Sequence, residues 1–228
     1  PSLRFWLGAD ELGRDVLSRV LYGTRLSLYV GLVSVLLGTT IGAGVGVISG
    51  YMGKKVDILL QRIIDTVMAF PTLILALAIV AVLGPSLNNV VIAVSVVLIP
   101  RGARVLRSAA LSVKENPYIE AARAIGCSNT RVLLRHVLPQ CMAPYIIVAT
   151  AAIGWAITVE ATLNFLGVGA PPPTPSWGAM LSGAGRQHLE TSPWIAISPG
   201  VALSLTVFGF SLLGDALRDV LDPRLRRA

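Results

Sequence analysis

Apolar residues in this chain come in long runs, not in the alternation of half-buried strands or the narrow stripes of soluble helices. Five runs stand out, over about residues 26–48, 64–83, 89–107, 142–166 and 194–214. Several of them approach or exceed the roughly 20 apolar residues that carry an α-helix across a bilayer. The pattern predicts an all-α fold, a polytopic membrane helix bundle. Polar stretches separate the runs: a lead-in over 1–25, a link over 50–65, a loop over 101–141, a second loop over 169–193 and a tail over 215–228.

Within the runs, glycine and proline carry most of the detail. Gly38, Gly42, Gly46 and Gly50 recur every four residues and share one helix face. Small residues at that spacing let another helix approach closely, so they read as a packing ridge. Pro71 sits inside the second run, where a kink is expected. Gly84-Pro85-Ser86 with Asn88 and Asn89 predicts a tight turn. The third run stops being purely apolar at Ile99, before Pro100, which predicts a short span. In the lead-in, Gly8, Gly13 and Gly23 interrupt the chain, and Phe5 and Trp6 suit a membrane interface. Pro171-Pro172-Pro173 favours an extended polyproline loop.

Composition supports the membrane reading: 54% of the residues are hydrophobic, only 14% are charged, and the mean hydropathy is +0.73. The formal charge of +7 raises the possibility of nucleic acid, but the placement of the basic residues explains the excess better. Numbering the sides of the membrane alternately puts fourteen of the 19 basic residues in 50–65, 101–141 and 215–228. The other side holds only Arg4, Arg14, Arg19, Arg25 and Arg186. By the positive-inside rule the first group is cytoplasmic and the 1–25 lead-in is external. Cys127 and Cys141 lie too far apart in sequence for a compact metal site, and His136 and His188 form no cluster. No nucleophile elbow, phosphate loop or paired carboxylate appears. Nothing in the sequence points to an enzyme, a cofactor or a metal, and nucleic acid is not an expected partner. With no initiator Met and no signal-peptide pattern, the chain opening on Pro1 reads as a fragment or a processed chain.

The stretch EAARAIGCSNTRVLLRHVLP, Glu120 to Pro139, lies in the most basic part of the chain. Asn116 is placed to cap a helix opening at Pro117, with Glu120 near its positive end. Tyr118, Ala122 and Ile125 make a small apolar stripe, and Gly126 is a candidate stop. Ser128 then caps a second short helix that Pro139 is expected to end. Such an elbow suits docking into another protein, and it equally suits an interfacial amphipathic loop. Two charged groups lie in or beside the runs. Arg101 heads a row with Arg104 and Arg107, which is explained by snorkelling or by facing an internal passage. Glu160 is either interfacial or part of a substrate pathway.

Glu120-Ala121-Ala122, Gly126 and Leu138-Pro139 resemble the cytoplasmic signature of ATP-binding-cassette importer permeases. His136 stands where the general pattern has an aliphatic residue, as in the dipeptide, oligopeptide and nickel branch. Leu7-Gly8-Ala9-Asp10, Leu12-Gly13-Arg14-Asp15, Arg25-Leu26-Ser27-Leu28, Pro175-Ser176-Trp177-Gly178, Gly214-Asp215-Ala216-Leu217-Arg218-Asp219 and Asp222-Pro223-Arg224 are similar to that branch as well. Ile99-Pro100 departs from it, since a Trp often precedes the arginine row there. The resemblance implies the type I importer permease fold with five transmembrane helices present and a sixth, N-terminal one missing. It implies a permease subunit in the inner membrane of a prokaryote, its domain over 26–214, with a coupling loop over 114–139 and a cytoplasmic tail over 215–228. It further implies a homologous second permease subunit, two ATP-binding subunits that hydrolyse ATP, and an extracytoplasmic substrate-binding protein, with lipid around the whole. Glu120, Ala121, Ala122, Gly126, Leu138 and Pro139 would couple to the ATPase. Di- or oligopeptides are the expected cargo, with nickel or another small solute as the alternative. An ATP-independent channel subunit is the competing reading from another class.

Overall fold

The structure, a computed structural model, describes residues 1–183 and 190–221. Arg186, His188 and Asp222-Pro223-Arg224, singled out above, lie outside the described residues. Regular structure in the described residues is helical: α1 (Val16–Met52), α2 (Lys54–Met68), α3 (Thr72–Leu83), α4 (Leu87–Lys114), α5 (Pro117–Ala124), α6 (Asn129–Val132), a π turn (Leu133–Val137), α7 (Leu138–Gln140), α8 (Met142–Phe165), α9 (Trp177–Ser182) and α10 (Trp194–Leu221). Of these, α1, α4, α8 and α10 are long and apolar enough to cross a membrane.

Helix ends differ from the apolar runs for local reasons. The first helix begins ten residues before the run at Leu26, because Asp15 caps it. The Asp15 carboxylate accepts from the Ser18 amide at 3.0 Å and from the Ser18 hydroxyl at 2.5 Å. Gly23 lies inside this helix and does not interrupt it. Its bare face admits the Trp177 ring, 3.2 Å from where a Cβ would stand, while Trp177 Nε1 donates to the Val20 carbonyl at 3.0 Å. The second run is broken, not kinked: α2 stops at Met68 and α3 starts at Thr72, just after Pro71. At 12 residues, α3 spans about 18 Å, short of a hydrocarbon core of roughly 30 Å. By contrast Pro100 is carried inside α4, which continues to Lys114. The triple proline folds as a turn, with the Thr174 amide donating to the Pro171 carbonyl at 3.3 Å, so it is not an open polyproline segment.

The chain divides into two compact units. One comprises 1–34, 73–94 and 153–212, and its lead-in is organised by Asp10. Burial pushes that carboxyl up, but the Arg14 amide, the Arg14 guanidinium and the Leu12 amide donate to it and hold it below the usual carboxylate value.

The other unit comprises 35–72, 95–152 and 213–228. In it the glycine ridge of α1 meets the backbone of α4. A methyl on Gly38, Gly42 or Gly46 would strike the carbonyl oxygens of Ser95, Ile99 and Ala103, and one on Gly50 would stand 2.7 Å from that of Arg107. Gly44, on another face, has nothing within 4 Å. Below the ridge, Arg107 grips Asp57 of α2 with two bonds of 2.6 Å, and Asp57 also accepts from Ser49 at 2.5 Å. Arg104 pairs with Asp65 at 2.9 Å. Two of the three arginines in the row are thus partnered by α2, a pairing that snorkelling alone does not describe.

The ridge makes a direct contrast possible. Gly46→Ala should destabilise the protein by about 1–3 kcal/mol through overpacking. Gly44→Ala should be neutral or stabilising by up to about 1 kcal/mol, from helix propensity. Thermal unfolding in detergent measures both; equal midpoints for the two variants would contradict this packing.

Candidate functional site

The loop between α4 and α8 is built by its caps. Asn116 precedes α5 in extended conformation, but its side chain does not cap that helix. It turns back and donates to the Ser112 and Val113 carbonyls at 3.3 and 3.0 Å, closing the end of α4. At the other end of α5, Gly126 takes φ +85°. Its amide donates to the Arg123 carbonyl at 2.9 Å and that of Cys127 to the Ala122 carbonyl at 3.1 Å. Those paired bonds are the Schellman arrangement, which needs a left-handed residue where Gly126 stands. Ser128 then accepts from the Arg131 amide at 3.4 Å. Pro139 does not end the second helix. Leu133–Val137 widen into a π turn, and helix resumes over Leu138–Gln140. A wider turn relieves the clash between a proline ring and the turn before it.

One face of this loop is rooted in its own unit. Ile119, Ala122, Val132, Val137 and Cys141 form a buried cluster with Val47 and Tyr51 of α1 and Leu106 and Ala110 of α4. The opposite face is open. Tyr118 is 43% exposed, Leu134 57% and Ile125 82%, and the Tyr118 and His136 rings stand 6.4 Å apart. The stripe expected from Tyr118, Ala122 and Ile125 is therefore split: Ala122 faces inward beside Ile119, and the other two face outward. Among the remaining signature residues, Glu120, Ala121, Gly126, Leu138 and Pro139 are exposed.

Tyr51 was not singled out from the sequence, yet it ties the loop down. Its hydroxyl donates to Asn129 Oδ1 at 3.1 Å, and its ring lies beside Lys114 and Arg123. An aromatic residue directly after the Gly38–Gly50 ridge and just before Lys54 and Lys55 was the available signal.

Arg101 is exposed at the surface of α4. Glu160, in the other unit, is fully buried in α8. It accepts from the Ser27 hydroxyl at 2.9 Å and from Asn164 Nδ2 at 2.5 Å. Asn164 Oδ1 in turn accepts from the Ala170 amide at 2.9 Å, so one side-chain chain joins α1, α8 and the loop that follows it. Gly169 is required beside it, because a methyl there would overlap the Asn164 amide.

The family model for the binding-protein-dependent transport system inner membrane component matches residues 42–227. Over 226 residues the chain is 46% identical to the dipeptide transport system permease protein DppC of Alkalihalophilus pseudofirmus, covering 99% of this chain and 74% of that one. It is 47% identical to the glutathione transport system permease protein GsiD of Escherichia coli, with the same coverage, and 44% identical to a putative peptide transport system permease protein of Brucella suis, covering 99% and 76%. In fold it is similar to a chain of the inward-facing MetNI methionine ABC transporter, with TM-score 0.73 and 21% identity over 90% of this chain and 97% of that one.

Two variants test the geometry. Gly126→Val should cost about 1–2 kcal/mol of loop stability and raise tryptic cleavage at Arg123 and Arg131 by roughly 5–30-fold. Gly126→Asn should do much less, since Asn tolerates the left-handed region; equal cleavage of the two would remove the Schellman account. Glu160→Gln should melt near wild type, whereas Glu160→Leu should lose about 1–3 kcal/mol for each buried partner left unpaired. Melting of Glu160→Leu at the wild-type temperature would show the network to be dispensable.

Proposed function

Because the chain belongs to the family of binding-protein-dependent transport system inner membrane components, we propose that it is the pathway-forming permease subunit of an ATP-driven peptide importer. It docks on a separate ATPase through the loop over 117–139. The observation that carries this reading is the two-sidedness of that loop. Its inner face is locked to α1 and α4 by the buried cluster, while Tyr118, Ile125 and Leu134 present apolar surface outward. An apolar patch held on a rigid base marks an interaction site.

Glu120 offers a charge to the partner and Gly126 sets the elbow, with Ala121, Leu138 and Pro139 on the accessible surface around them. Ala122 acts from the inner side, as part of the root. ATP-driven closure of the partner moves α5; the packed cluster passes that displacement to α1 and α4 as a rigid-body shift. The working assembly holds a homologous second permease, two ATP-binding subunits that carry the hydrolysis, and an external substrate-binding protein. The charge distribution supports a cytoplasmic position for 114–139. Peptide cargo is supported by the relatives, whose names are those of dipeptide, peptide and glutathione permeases. The buried Ser27–Glu160–Asn164 network favours a structural role for Glu160 over a place in the pathway, and exposed Arg101 remains the candidate pathway cation.

Ile125, the most exposed apolar residue of the loop, is the place for a crosslink. Ile125→Cys in a chain carrying Cys127→Ser and Cys141→Ala should crosslink to co-expressed ATPase subunits, and the yield should change when ATP is added. Inserted, folded protein that gives no crosslink would sink the docking reading.

A further inference from the structure

A pocket of about 350 Å³ opens where α1 ends, lined by Tyr51, Met52, Lys114, Arg123 and Asn129. Two cations converge on one aromatic ring: Lys114 Nζ lies 6.0 Å and the Arg123 guanidinium carbon 5.4 Å from the Tyr51 centroid. Among the described residues neither cation forms an ion pair within 4.0 Å. The nearby carboxylate, Asp57, is already gripped on both oxygens by Arg107. Tyr51 itself is held by its bond to Asn129. Positive charge is thus fixed around a cavity in which, among the described residues, no carboxylate is ion-paired with either cation.

A second feature leads into the same place. Leu37, Ile41, Gly44, Ile48 and Met52 fall on one side of α1, at spacings of three and four, and all are exposed. This apolar track ends at Met52, on the pocket's wall. An apolar track running into a cationic cavity at the end of a membrane helix matches one molecule, an amphiphile with acyl chains and an anionic head. Basic pockets between transmembrane helices hold lipid head groups by this charge complementarity.

We propose that the pocket holds the phosphate of an anionic phospholipid head group, with the acyl chains lying along the Leu37–Met52 track. Lys114 and Arg123 bind the phosphate, and Tyr51 and Asn129 keep Arg123 and the root of the coupling loop in place around it. The inference goes beyond the transport reading and does not depend on the cargo.

Native mass spectrometry of the complex purified through this chain tests it, from nanodiscs with equal phosphatidylglycerol and phosphatidylethanolamine. The unaltered protein should retain phosphatidylglycerol in preference, and the Lys114→Ala/Arg123→Ala variant should lose one such adduct with its phosphatidylethanolamine count unchanged. The charge-preserving Lys114→Arg/Arg123→Lys variant should keep the adduct. No preference between the two lipids in the unaltered protein would overturn the proposal whether or not the double alanine variant folds. So would occupancy of the pocket by inorganic phosphate with no phosphatidylglycerol adduct lost in the double alanine variant. Loss of a co-purifying subunit from the double alanine variant, with the lipid count unchanged, would assign the pocket to a protein carboxylate and overturn it as well.

Discussion

The close approach of two backbones, α1 against α4, is the contact on which the loop between α4 and α8 stands. In lipid there is no hydrophobic gain from bringing apolar helices together, so van der Waals contact has to hold them. Gly38, Gly42, Gly46 and Gly50 remove the side chains that would keep the axes apart, and the carbonyls of Ser95, Ile99, Ala103 and Arg107 occupy the space they leave. That spacing brings Val47 and Tyr51 level with Leu106 and Ala110, and those four residues make the floor on which Ile119, Ala122, Val132 and Val137 rest. Had the helices stood farther apart, the loop would have no common base linking it to both.

Polar ties supply what apolar packing cannot specify. A greasy helix face can slide or rotate at little cost, whereas a buried hydrogen bond has one satisfactory geometry. Glu160 with Ser27 and Asn164 fixes α8 to α1 and to the Ala170 backbone. Asp57 with Arg107 and Ser49 fixes α2 beneath the glycine ridge. Each tie joins segments far apart in sequence: the Glu160 carboxyl is satisfied in full burial, and the Asp57–Arg107 pair in partial burial.

The existence of the long helices was legible because apolar length is a direct response to the bilayer. Their ends were not. The start of α1 depends on the Asp15 cap and on Trp177, 157 residues beyond its Val20 partner. The break after Met68 and the continuity through Pro100 show one residue type with opposite outcomes, decided by its surroundings. In the loop, Gly126 was readable because a positive φ is a demand on chemistry. Which face of α5 turns inward was not readable: two helical turns carry too weak a stripe, and the choice belongs to the surface beneath. Tyr51 escaped notice for the same reason, as its partners lie on three other helical segments.

The π turn at Leu133–Val137 has a consequence for the loop as a pointing device. A π turn carries one residue more than the α turn it replaces, and each residue in a helix accounts for about 100° of rotation. The five residues therefore act as a phase shifter between α6 and the start of α8. The azimuth at which the elbow leaves the bundle depends on the number of residues in the turn as well as on the side chains, Val137 among them, that root it in the buried cluster. Substitutions at the exposed positions Leu134 and Arg135 would leave that heading alone, whereas removing a single residue from the turn would rotate what precedes it, Ile125 and Tyr118 included, by about 100° relative to α8.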